Sequence, residues 1–193
     1  MKCFFATLFF LCVCSFSVTA QRYQFKKYKT EEGLVNNETF AIIQDSQNRI
    51  WVSTTGGISC FNGRTFKNYT TEDGLASNIV FSLFEDSRER IWAGTLDNGV
   101  SIIENGNITN PAGIDFDLLG SITHILEGRD GTVYLIFVKG VATYKNGKLD
   151  YLIKDSPENP ISGLQQAAWY NSNTLYIASS RRGIFKLTLN PLK

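Results

Sequence analysis

The stretch from Tyr28 to Trp51 reads YKTEEGLVNNETFAIIQDSQNRIW, and Tyr69 to Trp92 reads YTTEDGLASNIVFSLFEDSRERIW. Thr30, Gly33, Leu34, Asn37, Phe40, Asp45, Ser46, Arg49, Ile50 and Trp51 each recur 41 positions later. Two looser copies follow. Val133-Tyr134 stands 42 residues after Ile91-Trp92, and Leu175-Tyr176 stands 42 residues after that. A repeat of this length, built from short apolar runs, is the spacing of four-stranded propeller blades.

One period divides into strands. Thr39–Gln44 is an apolar run suited to a buried inner strand, Arg49–Thr54 a second strand and Gly57–Phe61 a third. Asn62-Gly63 predicts a two-residue hairpin turn with positive φ at both positions, and the pair recurs as Asn105-Gly106 and Asn146-Gly147. Thr65–Tyr69 is the outer fourth strand. A helical solenoid would need apolar residues at i, i+3, i+4 and i+7 over ten or more positions. The runs here are too short and too often broken by Gly and Asn.

The expected fold is therefore all-β: antiparallel four-stranded blades of the β-propeller type, about four of them, in a small closed or partial ring. Their cores fall at 36–69, 77–110, 119–153 and 162–189. Gln24–Thr30, QFKKYKT, resembles Thr65–Thr71, TFKNYTT. It reads as a fourth strand with no blade before it. Residues 23–30 are thus a candidate closing strand for the last blade, pairing with Gly183–Leu189 and covering edges that invite aggregation.

Residues 1–20 read as a signal peptide: Lys2, an uncharged apolar run, then Val18-Thr19-Ala20 before Gln21. The run is short for a membrane anchor. Export to the periplasm or the exterior is expected, with no membrane span in the mature chain. Beyond the leader the sequence holds one cysteine, Cys60, so no internal disulfide can form. A formal net charge of +1 gives no electrostatic footprint for nucleic acid.

Thr71-Glu72-Asp73-Gly74-Leu75, Ser77-Asn78, Val80-Phe81, Glu85-Asp86-Ser87, Arg90-Ile91-Trp92 and Gly94-Thr95 together resemble the two-component regulator propeller repeat, and Thr30–Gly57 carries the same pattern. The resemblance implies the periplasmic sensor region of Bacteroidetes-type hybrid two-component systems, and with it carbohydrate sensing. It extends over roughly residues 22–189 and resembles only the N-terminal part of such a sensor. A membrane helix, a kinase and further propeller blades belong to those systems and are not in this sequence.

Candidate chemistry is sparse. Glu31-Glu32-Gly33 and Glu72-Asp73-Gly74 repeat with the fold, which marks them as turns between blades. Asp45 and Asp86 precede Arg49 and Arg90 by four residues, a spacing for a side-chain bridge across a hairpin. Trp51, Trp92, Tyr134 and Tyr176 are expected to pack between sheets. His124 is the only histidine. It cannot build a four-ligand zinc site with one cysteine, and no GxSxG elbow accompanies it. Asp115 and Asp117 lack a calcium-loop pattern. No catalytic residue, metal or cofactor is assigned. If a ligand binds, the loops on one face are expected to hold it, with candidates Glu72, Asp73, Asn78, Asp97, Asn98, Arg181 and Arg182. The expected function is a ligand-binding or sensing module, probing oligosaccharide, without its own transmitter domain. The alternatives are a polysaccharide lyase or glycoside hydrolase, and a structural segment completed by self-association.

Overall fold

The computed structural model describes residues 24–189. The leader expected at 1–20 lies outside the described residues. Four antiparallel sheets follow one another along the chain. Blade 1 comprises β1 (Thr39–Gln44), β2 (Ile50–Thr54), β3 (Ile58–Phe61) and β4 (Phe66–Tyr69). Blade 2 comprises β5 (Val80–Glu85), β6 (Ile91–Thr95), β7 (Val100–Glu104) and β8 (Asn107–Thr109). A one-turn helix, α1 (Phe116–Leu119), leads into blade 3. That blade has β9 (Ile122–Glu127), β10 (Val133–Phe137), β11 (Gly140–Lys145) and β12 (Lys148–Lys154). Blade 4 has three strands among the described residues, β13 (Leu164–Asn171), β14 (Thr174–Ser179) and β15 (Gly183–Thr188).

Each sheet is a simple meander, so every strand pairs with its sequence neighbour. The first strands meet one another, β1 on β5, β5 on β9 and β9 on β13. They therefore form the inner wall, with later strands progressively farther out. The core lies between sheets. Blade 1 contributes Trp51, Ile58 and Cys60 to one cluster, and blade 2 closes it with Val80, Leu83 and Ile91. Trp92 and Val100 meet Ile122, Ile125 and Val133 in the next. Tyr134, Ile136 and Val141 meet Leu164 and Leu175 in the third. Alternation along each strand sends one set of side chains forward to the next blade and the other set back. The four aromatics at the Trp51 position behave as expected in three blades: Trp51, Trp92 and Tyr134 are buried. Tyr176, in blade 4, is among the exposed aromatics.

Two local expectations are corrected. Asn105-Gly106 and Asn146-Gly147 do form two-residue turns, with φ of 51° and 82°, and 51° and 80°. At Asn62-Gly63 only Gly63 has positive φ, at 91°. There Arg64 and Thr65 extend the loop, and Asn62 Oδ1 accepts hydrogen bonds from both their backbone N–H groups, at 2.9 Å. The side chain thus shapes a longer turn. The closing strand is the second correction. Gln24–Lys29 adopts no strand, and β15 has β14 as its sole ladder partner among the described residues. Instead Tyr28 packs on Phe61 and Phe66, with ring centroids 5.1 and 5.7 Å away. Blades 1 and 4 lie at opposite ends of the stack, so the segment settles on the nearest exposed apolar surface.

Candidate functional site: the groove along the inner strands

The recurring Asp–Arg–Trp set is a structural clip. Asp86 Oδ2 accepts from Trp92 Nε1 at 2.7 Å and from Arg90 Nε at 2.7 Å. Asp86 Oδ1 accepts from the backbone N–H groups of Arg88 and Arg90, both at 3.0 Å. Asp45 repeats the arrangement with Trp51 Nε1 at 2.7 Å and Arg49 Nε at 2.6 Å. Burial pushes the Asp86 carboxyl upward, and this is the largest single influence. The bonds from Arg90 and Trp92 together outweigh it and hold the group below the ordinary 3.8. The balance at Asp45 is the same: burial raises it, and Trp51 and Arg49 bring it below 3.8. Each Arg also lies over its Trp ring, 5.3 Å from the centroid in blade 1 and 5.2 Å in blade 2. Both carboxylates thus bond within their own hairpins.

Most of the loop-face candidates are also occupied by their own turns. Thr71–Asp73 is one turn of 3-10 helix ended by Gly74 at φ 108°, a conformation that favours glycine. Asp73 Oδ2 accepts from Thr70 N at 2.8 Å, a reciprocal capping box with the Thr70 side chain. Asn78 Oδ1 accepts from Thr71 N at 2.8 Å, and Asn37 does the same for Thr30 at 3.1 Å. Glu72 is exposed beside them. Asp97 and Asn98 are exposed on the β6–β7 loop and line an open cleft of about 580 Å³ with Gly113, Ile114, Asp115 and Asp117. Arg181 and Arg182 are exposed on the β14–β15 loop, two blades away, and do not line that cleft. Their backbone N–H groups both donate to Ser179 Oγ at 3.2 Å. The seven candidates therefore do not form one site.

A different surface does converge. One position of the inner strand reads Phe40, Phe81, Thr123 and Gln165 across the four blades. Phe40 and Phe81 meet edge to face, with centroids 4.7 Å apart. Phe81, Thr123, Gln165, Gln166 and Ala178 line a groove of about 360 Å³. Thr123 Oγ1 donates within the wall, to the carbonyls of Ile136 and Leu164 at 3.1 and 3.2 Å. Gln165 and Gln166 are exposed, so their carboxamides face solvent with both donor and acceptor capacity. Blade 2 thus supplies an aromatic ring, backed by Phe40 of blade 1, and blades 3 and 4 supply hydroxyl and amide groups. The sequence reading missed this groove. Its signal was the loss of Phe at the third and fourth copies of one repeat position.

His124 stands on β9 and is half-buried. Burial pushes its imidazole below the ordinary 6.5, and a hydrogen bond to the Ala167 backbone opposes this in part. Among the described residues no group of three or more His, Cys, Asp or Glu side chains is placed to hold a metal ion.

Comparison with known proteins places this geometry. Residues 33–56 and 74–97 match the profile of the two component regulator propeller family. No curated protein matches the chain. Two solved extracellular domains of hybrid two-component systems from B. thetaiotaomicron are similar in fold. One is 21% identical with a TM-score of 0.72, covering 89% of this chain and 24% of that one. The other is 16% identical with a TM-score of 0.65, covering 90% of this chain and 25% of that one. This chain thus spans about a quarter of the length of those domains. A virginiamycin B lyase from Staphylococcus aureus is similar at 14% identity and a TM-score of 0.56, covering 79% of this chain and 56% of that one. Among the described residues no helix is long and apolar enough to cross a membrane.

Proposed function

We propose that this chain, whose residues 33–56 and 74–97 match the two-component regulator propeller family, is a sensing propeller module of an exported protein, placed in the periplasm or outside the cell. Its ligand is an oligosaccharide, and it carries no catalysis of its own. The observation that supports this reading is the groove along the inner strands. The Phe81 ring, packed edge to face with Phe40, offers apolar surface to sugar C–H groups, and Gln165 and Gln166 offer donors and acceptors to hydroxyls. A mostly concave surface with a few polar groups is the usual form of a small-ligand site. The signature residues of the repeat serve the clips and turns, which leaves the inner wall free to vary with the ligand.

Isothermal titration against a panel of neutral and acidic oligosaccharides tests the reading. The expected result is saturable binding to at least one member, weakened about tenfold or more by Gln165→Ala. Absence of binding across the panel contradicts it. Cleavage of any member by the purified chain contradicts the non-catalytic assignment.

A further inference from the structure

We propose that the trench between blades 1 and 2 binds an acidic sugar unit and holds its sulfate or carboxylate group at Arg49.

Two cavities of about 270 Å³ each lie between these blades. Arg49, Tyr69, Asn105 and Gly106 line both, so the two adjoin. They open on the face that carries the β1–β2 and β3–β4 turns, and they share no residue with the groove along the inner strands. Lys67 lines one cavity and Arg88 the other, with Arg49 between them.

All three cations have donors to spare. The hydrogen bond from Arg49 to Asp45 leaves from Nε, and its terminal amino groups donate to no acceptor among the described residues. The Arg49 side chain is 35% exposed, against 15% for Arg90, which brings Nη2 to within 2.6 Å of Asp86. Lys67 Nζ stands 4.7 Å from the Tyr69 ring centroid. A Cβ added to Gly106 would be 3.3 Å from that ammonium, so Lys67 reaches from blade 1 to the turn of blade 2. Arg88 is exposed. Among the described residues neither Lys67 nor Arg88 has a carboxylate within ion-pair distance. Two carboxylates also line the trench. Glu89 accepts from Gln47 Nε2 at 3.4 Å, and Glu104 is exposed.

The junction of blades 2 and 3 is an internal control. There Asp130, Gly131, Tyr144 and Lys145 take the places of Arg88, Glu89, Ile103 and Glu104. Asp130 pairs with Lys145, Tyr144 packs on Trp92 with centroids 5.1 Å apart, and the cavity shrinks to about 60 Å³. The same place is thus closed and neutralised at one junction, and open and cationic at the other.

The lining says what the trench accepts. A guanidinium fork suits an oxyanion. Gln47, Asn62, Thr65 and Asn105 add amides and a hydroxyl that match sugar hydroxyls. Trp51 and Tyr69 form the floor but are 2% and 5% exposed, which leaves no ring face for a nucleobase to stack on.

Calorimetric titration of the chain with glucose 6-sulfate, glucuronate and inorganic sulfate is the test. Both acidic sugars should bind saturably, and more weakly as salt is added. Lys67→Gln and Arg88→Gln, both at exposed positions, should keep the parent's circular dichroism and each weaken binding about fivefold or more. Glu104→Gln should tighten it by removing a like charge. Gln165→Ala, in the inner-strand groove, should leave it unchanged, which separates this site from that one. The Trp51 indole signal, beneath Arg49, should move during the titration while that of Trp169 stays. Failure of both acidic sugars to bind overturns the proposal, as does binding that both cation substitutions leave intact or that Gln165→Ala abolishes. Inorganic sulfate bound as tightly as glucose 6-sulfate would overturn the sugar assignment.

Discussion

In blade 2 the first hairpin is fastened by a buried carboxylate, Asp86, held by Arg90 and Trp92. In blade 3 the same three positions are Gly128, Thr132 and Tyr134. There Asp130, displaced two residues and exposed, bridges Lys145 at 2.5 Å instead. The two sheets nonetheless have the same meander and the same inter-blade packing. The apolar positions that alternate along the strands define the blade, and the clip adds to a structure that stands without it. The family profile matches residues 33–56 and 74–97, the entry turn and first hairpin of blades 1 and 2, where the clip stands, while the fold continues through blade 4. Contacts between blades show the same gradation. Ser46 donates its N–H and hydroxyl to Glu85, and Ser87 repeats both bonds to Glu127. Blade 3 meets blade 4 through Trp169 Nε1, which donates to the Glu127 carbonyl at 2.9 Å.

Substitutions that remove the clip should separate the two blades clearly. Trp92→Ala, which empties a fully buried site, should cost about 3–5 kcal/mol in urea unfolding. Asp86→Ala should cost about 3 kcal/mol, because it leaves the indole N–H and a partly buried guanidinium without their acceptor. Gly94→Ala should cost about 1–3 kcal/mol. An added Cβ there would collide with Ser82 and Ile122, so blade 2 and blade 3 could not approach as they do. Asp130→Asn should cost no more than about 1 kcal/mol, and most of that should vanish in high salt, since both partners are exposed. A cost for Asp130→Asn equal to that of Asp86→Ala would break the comparison.

Acid sharpens it further. Asp45 and Asp86 have folded values below the ordinary 3.8, and the Lys145 bond, the largest influence on Asp130, holds that carboxyl at about 2. The unfolded chain binds these protons more readily. Their contribution is therefore complete above pH 3.8 and is lost as pH falls below it. His124, depressed by burial, acts in the same direction at a higher pH: its contribution is present above 6.5 and lost as pH falls through that value. Melting temperatures recorded across this range should show the acid limb weakened in Asp86→Asn and the limb near neutrality weakened in His124→Gln.

Much of this was legible in the chain. Periodicity located the strands, because apolar residues at fixed offsets must face the same neighbour in each copy. The Asp–Arg spacing announced the bridge, and the Gly after each acidic pair announced the turn. What escaped had non-local causes. Tyr28 was read as part of a clasp, but where it lands depends on the distance between the first and last blades. Asn62 was read as half of a two-residue turn, yet its carboxamide reaches Arg64 and Thr65 and stabilises a longer one. Gln165 and Gln166 carry no motif. They matter because the sheet stack places them beside Phe81. The loop-face candidates failed to converge because side chains such as Asp73 and Asn78 close their own turns.

The three tryptophans provide the most direct test. Two indole N–H groups, those of Trp51 and Trp92, donate to carboxylates, and the third, that of Trp169, donates to a backbone carbonyl. In nitrogen–proton correlation spectra recorded as the pH is lowered, the Trp51 and Trp92 indole signals should shift together with carboxylate protonation, with midpoints below 3.8. The Trp169 signal should hold its position over the same range. Three signals that move together, or midpoints at or above 3.8, would contradict the clip that distinguishes the first two blades from the last two.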